Sequence, residues 1–194
     1  GIKLTKGDLA FRCNFATVED LDSLELMDRR AGRTLTTKES SILAKAINEK
    51  VKLPFKFEFH STNQHRGVLV FRGGFSDNIS NVDPDYGLGV GNSRSSRKVR
   101  FSKPLDEDDD GKLSADLVNQ FVRQSHEVLD RHPLNLARAK KGLFSANFLL
   151  CRDAGNESPS FKKLKGKWMA LGYMPLEIGL AKSMKMDVFK FEYP

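Results

Sequence analysis

The chain has 194 residues, a formal net charge of +7 and 39% hydrophobic residues, with 14 Phe and one Trp. That length supports one sizeable core or two small ones. No apolar run approaches the roughly 20 residues of a membrane-spanning helix, which excludes a bilayer helix and leads us to expect a cytoplasmic globular protein. The positive charge implies an anionic partner, either nucleic acid or a small phosphorylated metabolite.

The sequence opens on Gly1-Ile2-Lys3-Leu4, without an initiator Met and without a signal or transit pattern, as an excised or trimmed domain would. Asp8 to Phe15 alternates Leu9, Phe11, Cys13 and Phe15 with Asp8, Ala10, Arg12 and Asn14. Period two predicts a strand and puts Arg12 and Asn14 on its polar face. Leu24 to Arg30 is expected to pair with this strand across the turn-like Glu19 to Ser23. Thr36 or Thr37 then caps a helix with Glu39 in its first turn and Ile42, Leu43, Ala46 and Ile47 on one face. Pro54 to His60 alternates again, and His65 to Gly73 is an apolar strand bracketed by Arg66 and Arg72.

From Ser76 to Lys112 the pattern weakens. Gly87, Gly89 and Gly91, the Ser-rich basic stretch Ser93 to Arg100 and the acidic run Asp106 to Asp110 predict a long mobile surface loop. Ser114 is expected to cap an amphipathic helix running to Arg131, with His132 as its C-terminal cap before Pro133. A short helix, Asn135 to Lys141, ends at Gly142. Asn147 to Arg152 and Lys167 to Tyr173 read as strands, Pro175 to Met184 as a helix and Asp187 to Phe191 as a last strand. The fold class expected is α/β (mixed α+β): a mixed sheet flanked by helices, with β-hairpins at the N-terminus and βαβ-like alternation at the C-terminus.

Cys13 and Cys151 both lie in apolar strand-like runs and read as reduced core thiols, since disulfide scaffolds use more cysteines and zinc sites need close pairs. The densest polar signal is Asp28-Arg29-Arg30-Ala31-Gly32-Arg33. Arg grips carboxylate or phosphate through two parallel hydrogen bonds, although a solvated turn with locally paired charges would look the same. Repetition favours the grip: Arg12 with Asn14, Arg66 with Arg72, and Arg138 with Arg152 all sit on or beside regular elements. A nucleic-acid surface would more often scatter Lys on exposed helices and interleave exposed aromatics, whereas the strand phenylalanines here alternate inward.

Three other motifs are weak. SRSSRKVR, beside an acidic run, reads as a solvated loop. Asp106, Asp108, Asp110 and Gly111 open like a calcium loop, but position 12 is Leu117. Gly87, Gly89 and Gly91 lack the strand and helix of a dinucleotide site. The four His are too scattered to indicate a metal site, and no nucleophile is evident.

GDLAFRCNFATV, MDRRAGR, HRGVLVFRG, the pair Asp83-Pro84, VNQF, HPLN with Arg138, KKGLFSANFLLCRDAG and GLAKSMKMDVF resemble archaeal-type, 2,3-bisphosphoglycerate-independent phosphoglycerate mutases in order and spacing. The likeness fails only around Gly87 to Lys112. The resemblance implies membership of the alkaline-phosphatase superfamily and a role in glycolysis and gluconeogenesis. It further implies interconversion of 3-phosphoglycerate and 2-phosphoglycerate through a phosphoserine, with two divalent metals (Mn, Mg, Co or Zn) in a core that this chain lacks.

Residues 1–194 then look like one inserted, substrate-binding domain of a larger cytoplasmic enzyme. It would carry no catalytic or metal residue, be inactive alone, and take as partners the phosphoglycerates and the metal-binding core of its own polypeptide, not nucleic acid or membrane. The residues implied as substrate-binding are Arg12, Asn14, Asp28, Arg29 and Arg33, then Arg30, Arg66, Arg72 and Arg138; His132, Asn135 and Asn147 could support the site or the fold. A stand-alone phosphometabolite-binding or regulatory module is the alternative, and a basic RNA-binding domain the second.

Overall fold

The structure, a computed structural model, describes residues 2–84, 98–157, 160–162 and 164–191. The chain divides into two compact units, Gly1–Glu157 and Ser158–Pro194.

The first unit is built on β1 (Leu9–Val18), whose alternation is the one expected: Leu9, Phe11, Cys13 and Phe15 are buried in the hydrophobic core. β2 (Leu26–Asp28) pairs antiparallel with its far end. A short 3-10 turn, Ala31–Arg33, leads to α1 (Thr37–Lys50). Thr36 caps α1 in a capping box with Glu39, satisfying backbone donors that the first turn leaves open. β3 (Phe57–Ser61) and β4 (Arg66–Phe71) form a hairpin, and β4 pairs antiparallel with β1. Rings of Phe11, Phe15, Phe59, Phe71 and Phe121 pack at centroid distances of 5.6 to 6.1 Å, largely edge to face.

α2 (Asp109–Asp130) begins earlier than expected. Its N-cap is Asp108, and Asp109 and Asp110 fill the first turn, where negative charge complements the helix dipole. Ser114 lies buried inside the helix and donates to the Asp110 carbonyl at 2.8 Å. The acidic run therefore starts a helix and does not close a loop. His132 is likewise a cap of the other kind: its Nδ1 accepts from the Leu134 amide at 3.2 Å and opens α3 (Pro133–Lys140). Burial, then the Lys50 charge, lowers the His132 pKa and favours the accepting ring.

β5 (Phe148–Gly155) joins β1 on the edge opposite β4, completing a five-stranded antiparallel sheet. α1 packs on β3 and α2 on β5. The described flanks of the expected loop are well anchored. Ser80 donates to the Lys103 carbonyl at 2.8 Å and Val82 to that of Cys151 at 2.9 Å, with Ile79, Val82 and Val99 buried. Gly87, Gly89, Gly91 and Ser93 to Arg97 lie outside the described residues.

The second unit is β6 (Met169–Gly172), α4 (Pro175–Ser183) and β7 (Asp187–Lys190), with β6 and β7 parallel. The fold class is thus mixed α+β as expected, the antiparallel and parallel pairings falling in separate sheets.

Candidate functional site

Directly opposed residues of an antiparallel sheet share a face, as do residues two apart on one strand. Asn14 stands opposite Arg66 on β4, and Arg12 stands opposite Arg152 on β5. Arg12, Asn14, Arg66 and Arg152 therefore share the face turned away from the phenylalanine core.

A buried carboxylate ties this face to the Arg29 to Arg33 turn. Asp83 takes a two-pronged contact from Arg29, Nε to Oδ1 at 3.1 Å and Nη2 to Oδ2 at 2.6 Å. Its Oδ2 also accepts from Arg152 at 3.2 Å, and Arg152 in turn donates to Asn14 Oδ1 at 3.4 Å. The turn itself is fixed from two sides. Asp28 Oδ1 accepts from the amides of Arg30 and Gly32 at 2.7 and 2.8 Å. Arg138, only 3% exposed, donates to Thr34 Oγ1 at 2.7 Å, Glu39 Oε1 at 3.1 Å and the Phe144 carbonyl at 3.1 Å. Ala31, Gly32 and Arg33 take left-handed φ of 47°, 66° and 56° in succession. Such strain persists where the surroundings over-determine it, and a Cβ on Gly32 would come within 2.9 Å of the Phe144 ring.

His65 sits at the start of β4 and is 4% exposed. Its carbonyl accepts from the Phe15 amide at 2.7 Å, and its Nδ1 makes no hydrogen bond among the described residues. Burial, then the charges of Arg66, Arg33 and Arg152, lowers its pKa to about 4, with Asp28 acting the other way. Its ring is therefore neutral at pH 7. The charges that act on it come from four places in the chain: β4, the 3-10 turn, β5 and β2.

The predicted residues thus separate. Arg30, Arg33 and Arg66 have guanidiniums with no hydrogen-bonding or ion-pair partner among the described residues; Arg33 is exposed, the other two half-buried. Arg12 makes an exposed ion pair with Asp153 at 3.0 Å, a kind of contact that contributes little. Asn14, Asp28 and Arg29 shape the site through the contacts above.

Two of the expected substrate-binding arginines are engaged by protein groups. Arg72, at the other end of β4 from Arg66, is held by Asp8 at 2.5 Å and Glu58 at 2.8 Å. Burial works to raise the Asp8 pKa, but hydrogen bonds from Thr5 and Arg72 outweigh it and lower it. Arg138 is enclosed by protein acceptors and positions the turn. Asn135 and Asn147 are structural: Asn135 bonds Leu129 and Ala146, and Asn147 bridges Val18 and Asp130.

His65, Asp83 and Arg152 are not among the residues that the sequence points to as substrate-binding. His65 directly before Arg66 at a strand start, and Asp83-Pro84 in a weakly patterned stretch, were the available signals. Among the described residues no three His, Cys, Asp or Glu side chains converge as a metal would require. The two metals implied by the resemblance find no ligand set among these described residues.

The neutral His65 gives a pH prediction. Between pH 6.5 and about 4 the unfolded chain binds a proton at this position that the folded chain does not. Stability from this group is complete above 6.5 and lost as pH falls toward 4, by about 3 kcal/mol in all. Urea unfolding of His65→Gln beside the native chain should show the difference between them changing across that window. A difference constant from pH 7 to pH 4 would mean that His65 is not held neutral.

Fold and site together define an α+β module in which arginines line one sheet face. The family model for 2,3-bisphosphoglycerate-independent phosphoglycerate mutase matches residues 1–135. The chain is 39% identical over 206 residues to the enzyme so named from Aeropyrum pernix, covering 99% of this chain and 48% of the relative. It is 45% identical over 172 residues to 2,3-bisphosphoglycerate-independent phosphoglycerate mutase 1 of Archaeoglobus fulgidus, covering 86% and 39%. The solved cofactor-independent phosphoglycerate mutase from Thermoplasma acidophilum superposes with a TM-score of 0.69 at 31% identity, covering 99% of this chain and 50% of that one. The chain belongs to the 2,3-bisphosphoglycerate-independent phosphoglycerate mutase family, and it spans about half the length, or less, of these relatives.

Proposed function

We propose that this chain is the substrate-gripping part of a phosphoglycerate mutase. It holds the glycerate while phosphoryl transfer between 3- and 2-phosphoglycerate proceeds, through a phosphoserine, on the metal-binding remainder of the same polypeptide. The observation that carries this reading is the division among the arginines. Arg29, Arg72, Arg138 and Arg152 are engaged by protein groups, while Arg30, Arg33 and Arg66 remain open among the described residues.

A phosphoglycerate carries a phosphate and a carboxylate on three carbons and needs two cationic grips at fixed separation. Arg33, on a strained turn braced by Asp28 and Arg138, and Arg66, locked in register with Asn14, supply fixed geometry. Pre-set geometry lowers the ordering cost of binding. Neutral His65 adds a polar ring without competing charge. A grip on a separate unit that closes over the site would keep water from the phosphorylated enzyme.

The second unit supports the partner. Met169, Leu171, Leu176, Leu180 and Phe189 are exposed on its parallel strand pair and helix, Leu171 by 71%. Parallel sheets are normally covered on both faces, so this unit is suited to packing against further strands and helices, which the remainder of the mutase would supply. The inward strand phenylalanines continue to argue against nucleic acid.

Full-length mutase carrying Arg33→Ala is the test. Its kcat/KM for 3-phosphoglycerate should fall about tenfold or more, the loss of one charge-assisted contact. Arg33→Lys should recover part, because a point charge does not reproduce a two-pronged contact. Unchanged kcat/KM in Arg33→Ala would remove Arg33 from the site.

A further inference from the structure

The sulfurs of Cys13 and Cys151 lie 3.5 Å apart inside the sheet, both as free thiols. Cys13 on β1 and Cys151 on β5 are Cα partners in antiparallel register. Such partners alternate between pairs that exchange backbone hydrogen bonds and pairs that do not, and the second kind brings the Cα atoms to about 4.5 Å.

The backbone identifies this pair as the second kind from both strands. The Cys151 carbonyl accepts from the Val82 amide at 2.9 Å, so it turns away from β1. Phe15, two residues from Cys13 and of the same parity, sends its amide to the His65 carbonyl on the β4 side. Cys13, opposite Gly67 of β4, bonds to that side as well. A Cα separation of about 4.5 Å is within the range that disulfides span. Bringing the sulfurs to bonding distance therefore requires side-chain rotation, not rearrangement of the sheet.

We propose that Cys13 and Cys151 form a reversible cross-strand disulfide by exchange with a small-molecule disulfide such as oxidised glutathione. One cysteine thiolate attacks a glutathione sulfur, breaking its S–S bond and releasing one glutathione thiolate. The second cysteine thiolate then attacks the protein sulfur of the mixed disulfide and expels the other glutathione. Two protein thiols are oxidised, one disulfide is reduced to two thiols, and the two protons pass to the departing thiolates. The link closes on β1 beside Arg12 and Asn14 and on β5 beside Arg152, joining the strands that form the arginine face.

The closed sheet guards the reduced form. Both cysteines are 1% exposed, and the contact with Cys13, then burial, pushes the Cys151 thiol well above its ordinary value. Exchange therefore waits on local opening, and mild denaturant should speed it. None of this depends on the phosphoglycerate reading.

The test incubates the native chain with oxidised glutathione in sub-denaturing urea, then counts thiols under denaturing conditions and takes the intact mass. Both thiols should disappear, the mass should fall by two hydrogens with no glutathione retained, and dithiothreitol should restore the starting form. At least one of Cys13→Ser and Cys151→Ser should instead retain glutathione, since the resolving thiol is gone. Two thiols still reactive in the native chain, glutathione left attached to it, a link between two chains, or no adduct on either variant would each overturn the proposal.

Discussion

Asp83→Ala should destabilise the chain by about 3–5 kcal/mol, as expected when one member of a buried ion pair is removed. The Asp83 side chain is wholly buried and receives both the Arg29 fork and Arg152, itself almost enclosed. Without the carboxylate, Arg152 loses its 3.2 Å ion pair, and its contacts with Asn14 and Asp153 are longer, at 3.4 and 3.8 Å. Arg29 is more exposed and suffers less. A domain is stable by only about 5–15 kcal/mol, so the urea midpoint should drop sharply. Asp83→Asn, which keeps an acceptor of similar shape, should cost less than Asp83→Ala. A loss below about 1 kcal/mol in Asp83→Ala would mean that the arginines do not rely on this carboxylate.

Arg138→Ala should have an effect of similar size with a different consequence. It strands Glu39 without its buried partner and leaves Thr34 and the Phe144 carbonyl short of a donor, for about 3 kcal/mol or more. Because Arg138 also braces the left-handed turn, the Arg33 side chain loses its fixed setting. Phosphoglycerate affinity should fall in Arg138→Ala even at temperatures where the variant remains folded. Arg138→Lys should restore part of the stability and little of the affinity, since one ammonium cannot reach acceptors spread over Thr34, Glu39 and Phe144. Affinity equal to that of the native chain in folded Arg138→Ala would show that the turn holds itself.

The period-two alternation of Leu9 to Phe15 placed β1, the centre of the sheet, and put Arg12 and Asn14 on the right face, because half-buried strands write their orientation into every second residue. The turn at Arg29 to Arg33 was visible as a cluster of charge on either side of a glycine. What was not legible was which arginines are engaged. Arg72 and Arg138 differ from Arg66 and Arg33 in the carboxylates and hydroxyl that other segments bring to them, over separations of 14 to 104 residues. Asp83 was obscured for the same reason: its role depends on Arg29 and Arg152, 54 and 69 residues away. Local composition made the acidic run before α2 look like loop, although the same acids are what a helix N-terminus prefers. The thiol pair is legible only once β1 and β5 are in register.

The most direct measurement is a chemical-shift titration of the 194-residue chain with 3-phosphoglycerate. Charge-assisted hydrogen bonds contribute about 1.5–3 kcal/mol each, and association with side-chain ordering costs at least about 4 kcal/mol. Three or four such contacts leave a Kd on the order of millimolar. Shifts should concentrate at His65, Arg66 and the Asp28 to Arg33 turn. The Kd should be about tenfold weaker in Arg33→Ala and scarcely changed in Lys45→Ala, which removes the same charge from an exposed position on α1. If Lys45→Ala weakens binding as much as Arg33→Ala, the attraction is diffuse charge and the arginine face is not a phosphoglycerate site.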